Sequence, residues 1–246
     1  MKLCKLSDIA LVTMGQSPQS EHYNSEGEGI PFLQGNRTFG RKYPTFDTYT
    51  TFVTKRANAG DVIMSVRAPV GDLNITPVDM CLGRGVCSLR MNNGNQEYLY
   101  YLMKYNVAEL INKESGTVFG SVNRNDINNL QVNIHEEDEQ IKIARFLSAI
   151  DEKIEQNEKI NNNLYEQMQA LYNSWFVNFE PFEGKQPDDW TVKDIYSLAN
   201  IIYGAPFASK LFNTNGIGKP IIRIRDLKEQ EFNTFTTELH PKGYLL

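Results

Sequence analysis

In the first half of the chain, apolar residues come in short runs between glycines and prolines. Runs of strand type follow Gly29 and Gly60, and residues 47–53 are rich in β-branched and aromatic side chains. Short runs of this kind between turn-forming residues are typical of strands. In residues 96–112 the apolar spacing changes to three and four, which predicts a helix. The pattern predicts an α+β fold that begins with a strand-rich domain over residues 1–135.

The next segment has the pattern of one long helix. From residue 137 to 178, apolar residues recur in alternating steps of three and four, with no glycine or proline. This heptad spacing predicts a coiled-coil-type helix over residues 136–180, ended by Pro181. An apolar stripe of this length needs a partner. The predicted helix interface consists of Ile143, Leu147, Ile150, Ile154, Asn157, Asn161, Leu164, Met168, Leu171 and Trp175. The two asparagines are either weak points or a device that fixes register and partner choice.

Beyond a polar linker at residues 181–190, the chain repeats its own start. The offset between the copies is 186 residues at the first match and 189 from Ser20 onward. The matched segments are Ser7-Asp8-Ile9 with Lys193-Asp194-Ile195, and Gly29-Ile30-Pro31-Phe32-Leu33 with Gly218-Lys219-Pro220-Ile221-Ile222. Residues 191–246 are therefore predicted to be an incomplete second copy of the first domain. Chance similarity between two strand-rich stretches is the alternative.

The distribution of charge points to a nucleic-acid partner, although the net charge is −5. Residues 30–92 hold 8 basic and 4 acidic side chains, whereas residues 136–190 hold 5 and 13. A DNA-binding face needs local positive potential rather than a basic chain. Residues 34–43 concentrate the side chains that contact phosphates and base edges, between glycines that allow close approach. The predicted DNA contacts are Gln34 and Asn36 as base readers, with Arg37, Arg41, Lys42, Arg56, Arg67 and Arg84. A solvated basic loop is the alternative.

Candidate chemistry is sparse. The three cysteines lack metal-type spacing and predict reduced thiols in a cytoplasmic protein. Asp61 and Asp72 flank Arg67 without the spacing of a nuclease metal site, and Gly83-Arg84-Gly85 is too short for a phosphate loop. No apolar run is long enough to span a membrane, and the start lacks the apolar stretch of a signal peptide. The sequence predicts a non-enzymatic protein with no catalytic residues, no metal site and no membrane partner.

Several segments, in order, resemble the specificity subunit of type I restriction–modification systems. The start of the family's target recognition domain resembles Gly15-Gln16-Ser17-Pro18 with Tyr23-Asn24, and its strand core resembles residues 60–67 with Gly71 and residues 83–85. The opening of the family's central helix resembles residues 139–144 with Leu147 and residues 151–154, and its close resembles residues 175–182. The family has two complete recognition domains and two conserved helices. Here the second domain stops early and the second helix is missing, so a truncated member is expected.

The resemblance implies a recognition function without catalysis. Each recognition domain of the family reads one half of a split site in double-stranded DNA, and the helices set the spacing and dock modification subunits. Those partners bind S-adenosylmethionine and methylate adenine at N6, and a restriction subunit uses ATP and Mg²⁺ to move and cut DNA. The specificity subunit holds no cofactor. Because the second helix is missing, the chain is expected to form a homodimer through its long helix or to need its modification subunits. The alternatives are a coiled-coil scaffold or an inactive remnant that does not read DNA.

Overall fold

A computed structural model describes residues 1–112, 121–204, 206–229 and 232–238. The chain divides into two compact units, Met1–Glu166 and Gln167–Leu246. The predicted mixture of strands and helices with one long helix is confirmed. Residues 113–120 of the first predicted domain, and residues 205, 230–231 and 239–246 of the predicted second copy, lie outside the described residues. Within the described part of the chain, no helix is both long enough and apolar enough to cross a membrane.

The first unit is built from short strands. Its strands are β1 (Lys2–Lys5), β2 (Ala10–Met14), β3 (Tyr23–Asn24), β4 (Ile30–Leu33), β5 (Tyr49–Thr50), β6 (Arg56–Ala57), β7 (Val62–Ser65), β8 (Leu73–Ile75), β9 (Met80–Leu82), β10 (Val86–Met91) and β11 (Gln131–Ile134). Its helices are α1 (Leu6–Ile9), α2 (Gln96–Asn112), α3 (Arg124–Asn128) and α4 (Glu137–Tyr172), and α4 continues into the second unit.

Two sheets form the body of this unit. One has the order β2-β10-β7-β8 and the other β3-β5-β4-β9-β6, while β1 pairs with β11. In the second sheet, β4 and β9 are parallel, with Leu33 opposite Leu82. Strand β7 is fully buried, and its alternation sends Val62 and Met64 into a core beneath α2 and Ile63 into a smaller core beside Leu33. This double burial explains why β7 is a continuous apolar run rather than an alternating one.

The long helix changes its geometry near its end. Its first turn carries three acidic residues, where the helix dipole favours them. Regular α-helix ends at Tyr172, residues 173–177 widen into a π-helical turn, and Phe179 adopts a left-handed conformation at φ 53°. Helical turns continue beyond Tyr172, as the π-helical turn and a 3₁₀ turn at Glu180–Phe182, and reach the region of the predicted boundary at residue 180.

The predicted interface residues of α4 fall into two groups. Ile143 packs against the core of the first unit, and Leu147 and Ile154 are half-buried. The remaining positions lie on the surface and comprise Ile150, Asn157, Asn161, Leu164, Met168, Leu171 and Trp175. The apolar members of this exposed group, here called the open seam, include leucines more than half exposed. An apolar stripe of this kind still requires a partner.

The second unit repeats the local structure of β3, β4 and β5. Its elements are 3₁₀ turns at Ile195–Ser197 and Ser209–Leu211, strands β12 (Phe212–Asn213), β13 (Lys219–Pro220) and β14 (Phe235–Thr236), and helix α5 (Ile224–Glu229). Strand β14 pairs with β12 and β13 as β5 pairs with β3 and β4.

The correspondence extends to single atoms. The side-chain amide of Asn24 donates to the Glu28 carbonyl at 2.9 Å, and that of Asn213 donates to the Ile217 carbonyl at 2.8 Å. Gly29 and its counterpart in the second copy both have positive φ, at 86° and 93°, and both lie against a threonine carbonyl. Only glycine fits such a position without strain. The repeat detected in the sequence is therefore also a repeat of structure.

Candidate nucleic-acid interface

Two predicted DNA contacts, Gln34 and Arg84, follow neighbouring parallel strands. Gln34 comes directly after β4, and Arg84 lies two residues beyond β9. The Gly83 amide donates to the Leu33 carbonyl at 2.8 Å, and the Gly85 amide donates to the Gln34 carbonyl at 3.0 Å. The parallel pairing therefore brings both side chains to the same edge of the sheet.

Glycines allow three backbone segments to meet at this edge. A β-carbon on Gly15 would lie 2.0 Å from the Gly83 carbonyl oxygen, and one on Gly85 would lie 2.4 Å from the Gln34 carbonyl oxygen. Real β-carbons do not approach backbone this closely. The residues after β2, β4 and β9 consequently form one tightly joined platform beneath the exposed Gln34 and Arg84 side chains.

Arg67 belongs to the same edge. The Val66 amide donates to the Gly85 carbonyl at 2.9 Å, which brings the residue after it next to the platform. Neither Arg67 nor Arg84 has an ion-pair partner within the described residues, and both are exposed. We call Gln34, Arg67 and Arg84 the edge cluster. It combines two uncompensated positive charges with an amide that can both donate and accept.

A hydroxyl group that the sequence-based selection missed lies within this site. The Ser17 hydroxyl accepts a hydrogen bond from the Arg84 amide at 3.1 Å and donates one to Gln34 Oε1 at 2.7 Å. These residues line a groove of about 700 Å³ together with Tyr23. Ser17 could have been selected from the sequence, because it belongs to the Gly15-Gln16-Ser17-Pro18 segment. Its contact with Gln34, however, depends on how distant strands pair in the fold.

Three of the other predicted contacts are paired with nearby acids at the surface. Asn36 donates to Asp72, and Arg37 and Arg56 form ion pairs with Asp47 and Asp79. The Arg37 guanidinium holds the pKa of Asp47 below its usual value, and hydrogen bonds from the Ala59 amide and from Arg56 do the same for the pKa of Asp79. A phosphate would have to compete with a carboxylate at Arg37 and Arg56, and their contact with DNA stays a prediction.

Arg41 and Lys42 contact the helices of their own unit. Arg41 Nη1 lies 2.7 Å from Glu158 on α4, and Lys42 Nζ lies 2.8 Å from Glu97 on α2. Lys42 is nearly enclosed, with 11% of its side chain exposed. Burial alone would lower its pKa, but the Glu97 carboxylate outweighs that effect and the pKa is raised. Both side chains fasten the loop at 34–43 to the helices, and the prediction that they contact DNA is untested.

Two aromatic side chains of α2 also contact α4 and the loop at residues 34–43. The Tyr101 hydroxyl donates to Asp151 at 2.7 Å, and the Tyr100 hydroxyl donates to the Arg41 carbonyl at 3.2 Å. Burial raises the pKa of Tyr100 to about 12, so this hydroxyl stays a donor at neutral pH. Sequence reasoning could not find this network, because its members are brought together by tertiary packing alone.

Metal ligands and nucleophiles are the groups that would give such a site a catalytic role. Among the described residues, no set of three or more histidine, cysteine or acidic side chains is placed to hold a metal ion. Cys81 and Cys87 are buried free thiols, and burial raises the pKa of Cys87 to about 12. A thiol with so high a pKa is a poor nucleophile. Asp61, one of the two acids that flank Arg67 in the sequence, is buried and paired with Arg90 at 2.6 Å.

Comparison with known proteins identifies the fold of the first unit. The sequence model of the type I restriction modification DNA specificity domain matches residues 1–166. The putative type I restriction enzyme MjaX specificity subunit of Methanocaldococcus jannaschii is 36% identical over 164 residues, which are 66% of this chain and 39% of that protein. The MjaIX specificity subunit of the same organism is 24% identical over 98% of this chain and 62% of its own length.

Solved structures agree with this assignment. The HsdS subunit of Thermoanaerobacter tengcongensis matches with a TM-score of 0.55 and 30% identity, over 71% of this chain and 44% of that one. A chain from a solved type I R-M system matches with a TM-score of 0.58 and 31% identity, over 70% and 44% of the two chains. This chain thus spans from 39% to 62% of the curated relatives described above. The chain belongs to the family of type I restriction modification DNA specificity domains.

Proposed function

We propose that the first unit reads one half of a split site in double-stranded DNA, as the specificity component of a type I restriction–modification complex. The edge cluster carries this proposal. Two arginines with no carboxylate partner among the described residues create local positive potential, and phosphates are bound by replacing counterions at such charges. Gln34 at the same edge supplies the donor and acceptor pair that base edges require.

The proposed role is recognition without chemistry. The assembled complex would methylate adenine at N6 and cut DNA, using S-adenosylmethionine, ATP and Mg²⁺ held by modification and restriction subunits. This chain would hold none of these cofactors. Such a complex works on DNA in the cytoplasm, where buried thiols such as Cys81 and Cys87 stay reduced.

The open seam supports a partner on α4. Burial of its large apolar side chains is worth about 1.5–3 kcal/mol each, which favours association over exposure. The proposed partners are a second copy of this chain, packed antiparallel, or the modification subunits. A two-fold dimer would favour a DNA site with identical, inverted halves. Sedimentation at micromolar concentration tests the dimer, and a monomer whose α4 amides resist hydrogen exchange would exclude it.

Selection of bound duplexes from a random pool tests DNA reading. The full chain is expected to enrich a defined sequence. Replacing Arg67 and Arg84 together by alanine should lower the slope of log affinity against log salt by about 1.8, since each phosphate contact contributes about 0.9. Lys153→Ala, an exposed substitution on α4, is the matched control and should leave the slope unchanged. A coiled-coil scaffold or an inactive remnant would enrich no sequence.

A second experiment tests the absence of catalysis. The purified chain, incubated with DNA and labelled S-adenosylmethionine, is expected to transfer no methyl group. Transfer by the isolated chain would contradict the proposal.

A further inference from the structure

The Gly15-Gln16-Ser17-Pro18 segment is held rigidly beside the edge cluster. The Gly15 amide donates to the Val86 carbonyl at 3.0 Å, and the Gln16 amide donates to the Leu82 carbonyl at 2.9 Å. On the other side, the Tyr23 hydroxyl donates to the Pro18 carbonyl at 2.9 Å. The Tyr23 ring packs on Phe32, with ring centres 4.6 Å apart. Ser17 is therefore fixed from both sides before any ligand arrives.

The bonds of Ser17 define which end of the Gln34 amide faces it. The hydroxyl oxygen accepts from the Arg84 amide, so its single proton is available for Gln34 Oε1. A carbonyl oxygen has two lone pairs, of which Ser17 uses one. The Nε2 group of Gln34 has no hydrogen-bond partner among the described residues. The amide thus presents two N–H donors and one acceptor lone pair in a fixed order.

We propose that Ser17 is a positioning residue that orients the Gln34 amide to read adenine in the major groove. Adenine presents N7 as an acceptor and the N6 amino group as a donor, which match Nε2 and the free lone pair of Oε1. Guanine presents two acceptors at the same edge and cannot satisfy the oxygen. Without Ser17 the amide can rotate by half a turn, and its donor and acceptor exchange places. This inference rests on the proposed function and names the base class for one of its side chains.

The second copy carries a different side chain at the matching position of the sequence. At the offset of 189 residues, Gln34 corresponds to Arg223. An arginine matches the two acceptors of guanine as an amide matches adenine. In this structure Arg223 donates to Asp226 and Thr234. The strand pairing that precedes the position is repeated, whereas Gln34 is followed by a turn and Arg223 by α5, and the two side chains differ.

The test compares sequence preference rather than affinity alone. The full chain and its variants would each be used to select duplexes from the same random pool. Gln34→Ala should lose an adenine preference of about tenfold or more at one position and keep the others. Ser17→Ala should weaken the preference at that same position, and Ser17→Thr should restore it, because threonine keeps the hydroxyl. Ser20→Ala, a serine in the same groove, is the matched control and should change nothing.

The outcomes separate the inference from the proposed function. If the unmodified chain enriches no sequence, DNA reading itself fails, and the inference fails with it. If a sequence is enriched but Gln34→Ala alters no position, or alters a position that prefers guanine, only the inference is overturned. If Ser17→Ala weakens binding to all sequences equally and Ser17→Thr does not restore it, Ser17 supports the fold alone and the inference is also overturned.

Discussion

Replacing Gly15 by alanine should separate the strands that support the edge cluster. The added β-carbon would meet the Gly83 carbonyl oxygen at 2.0 Å and the Val86 carbonyl oxygen at 2.6 Å. Both obstacles are backbone atoms, so no side chain can rotate away to make room. Reaching an ordinary contact would require a displacement of more than about 1 Å, since carbon atoms approach non-bonded neighbours to about 3.5 Å.

The loss of stability follows from the backbone hydrogen bonds that this displacement would lengthen. It would lengthen the hydrogen bonds from Gly15 to Val86 and from Gln16 to Leu82, now 3.0 and 2.9 Å. Losing each bond costs about 0.5–1.5 kcal/mol, and overpacking adds about 1–3 kcal/mol. We expect Gly15→Ala to lower the free energy of unfolding of the first unit by about 2–5 kcal/mol.

Native-state hydrogen exchange of residues 82–91 would measure this loss in the first unit. Tryptophan fluorescence is unsuitable, because Trp175 and Trp190 both lie in the second unit. Gly35→Ala is the matched control, since a β-carbon there meets nothing within 4 Å, and its effect should stay within about 0.5 kcal/mol. If the two variants exchange at the same rate, the proposed close packing of the three segments is wrong.

Three further predictions concern charged groups. Lys42→Ala should lower the free energy of unfolding by about 1–3 kcal/mol, because it removes the cation beside a partly buried carboxylate on α2 that otherwise accepts a hydrogen bond from Ser148, and an unchanged urea midpoint would contradict this. A double-mutant cycle on Arg41 and Glu158 should give a coupling of about 0.2–1 kcal/mol that shrinks with added salt, whereas a salt-independent value would argue against an exposed ion pair. The pKa of Asp226 is lowered to about 2 by Arg223, so the stability that this pair contributes is present above the ordinary carboxylate pKa and is lost as pH falls towards 2. Hydrogen exchange of residues 223–236 should report that loss, and Asp226→Asn should remove its pH dependence.

The sequence predicted those features that depend on neighbouring residues. The heptad pattern identified α4, and the glycine before β7 marked a strand whose apolar run reflects burial on both faces. The repeat was visible because Asn24 and Gly29 occupy positions that impose the same turn in the second copy. Each of these features is encoded within about ten residues.

Features created by distant contacts were not predictable. Arg41 and Lys42 are of residue types that often contact DNA. Their acidic partners, however, lie on helices that begin more than fifty residues later in the chain. The change from α-helix to a π-helical turn after Tyr172 was not predicted, because such a turn leaves no heptad signature. The contact of Ser17 with Gln34 depends on the parallel pairing of β4 with β9, which nothing in the residues around Ser17 encodes.

The pairing of β1 with β11 has a consequence for folding during synthesis. Lys2 lies opposite Ile134, so the first strand of the domain completes its pairing only after the last strand before α4 has been made. At about 5–20 residues per second, translation takes roughly 7–26 s to cover that distance. During this interval β1 leaves the ribosome as an unpaired edge, open to wrong pairing with other chains. Once β11 has been synthesised, it pairs with β1 and joins the two ends of the domain. Helix α4 starts three residues later, so it is synthesised directly after the strand that completes this pairing.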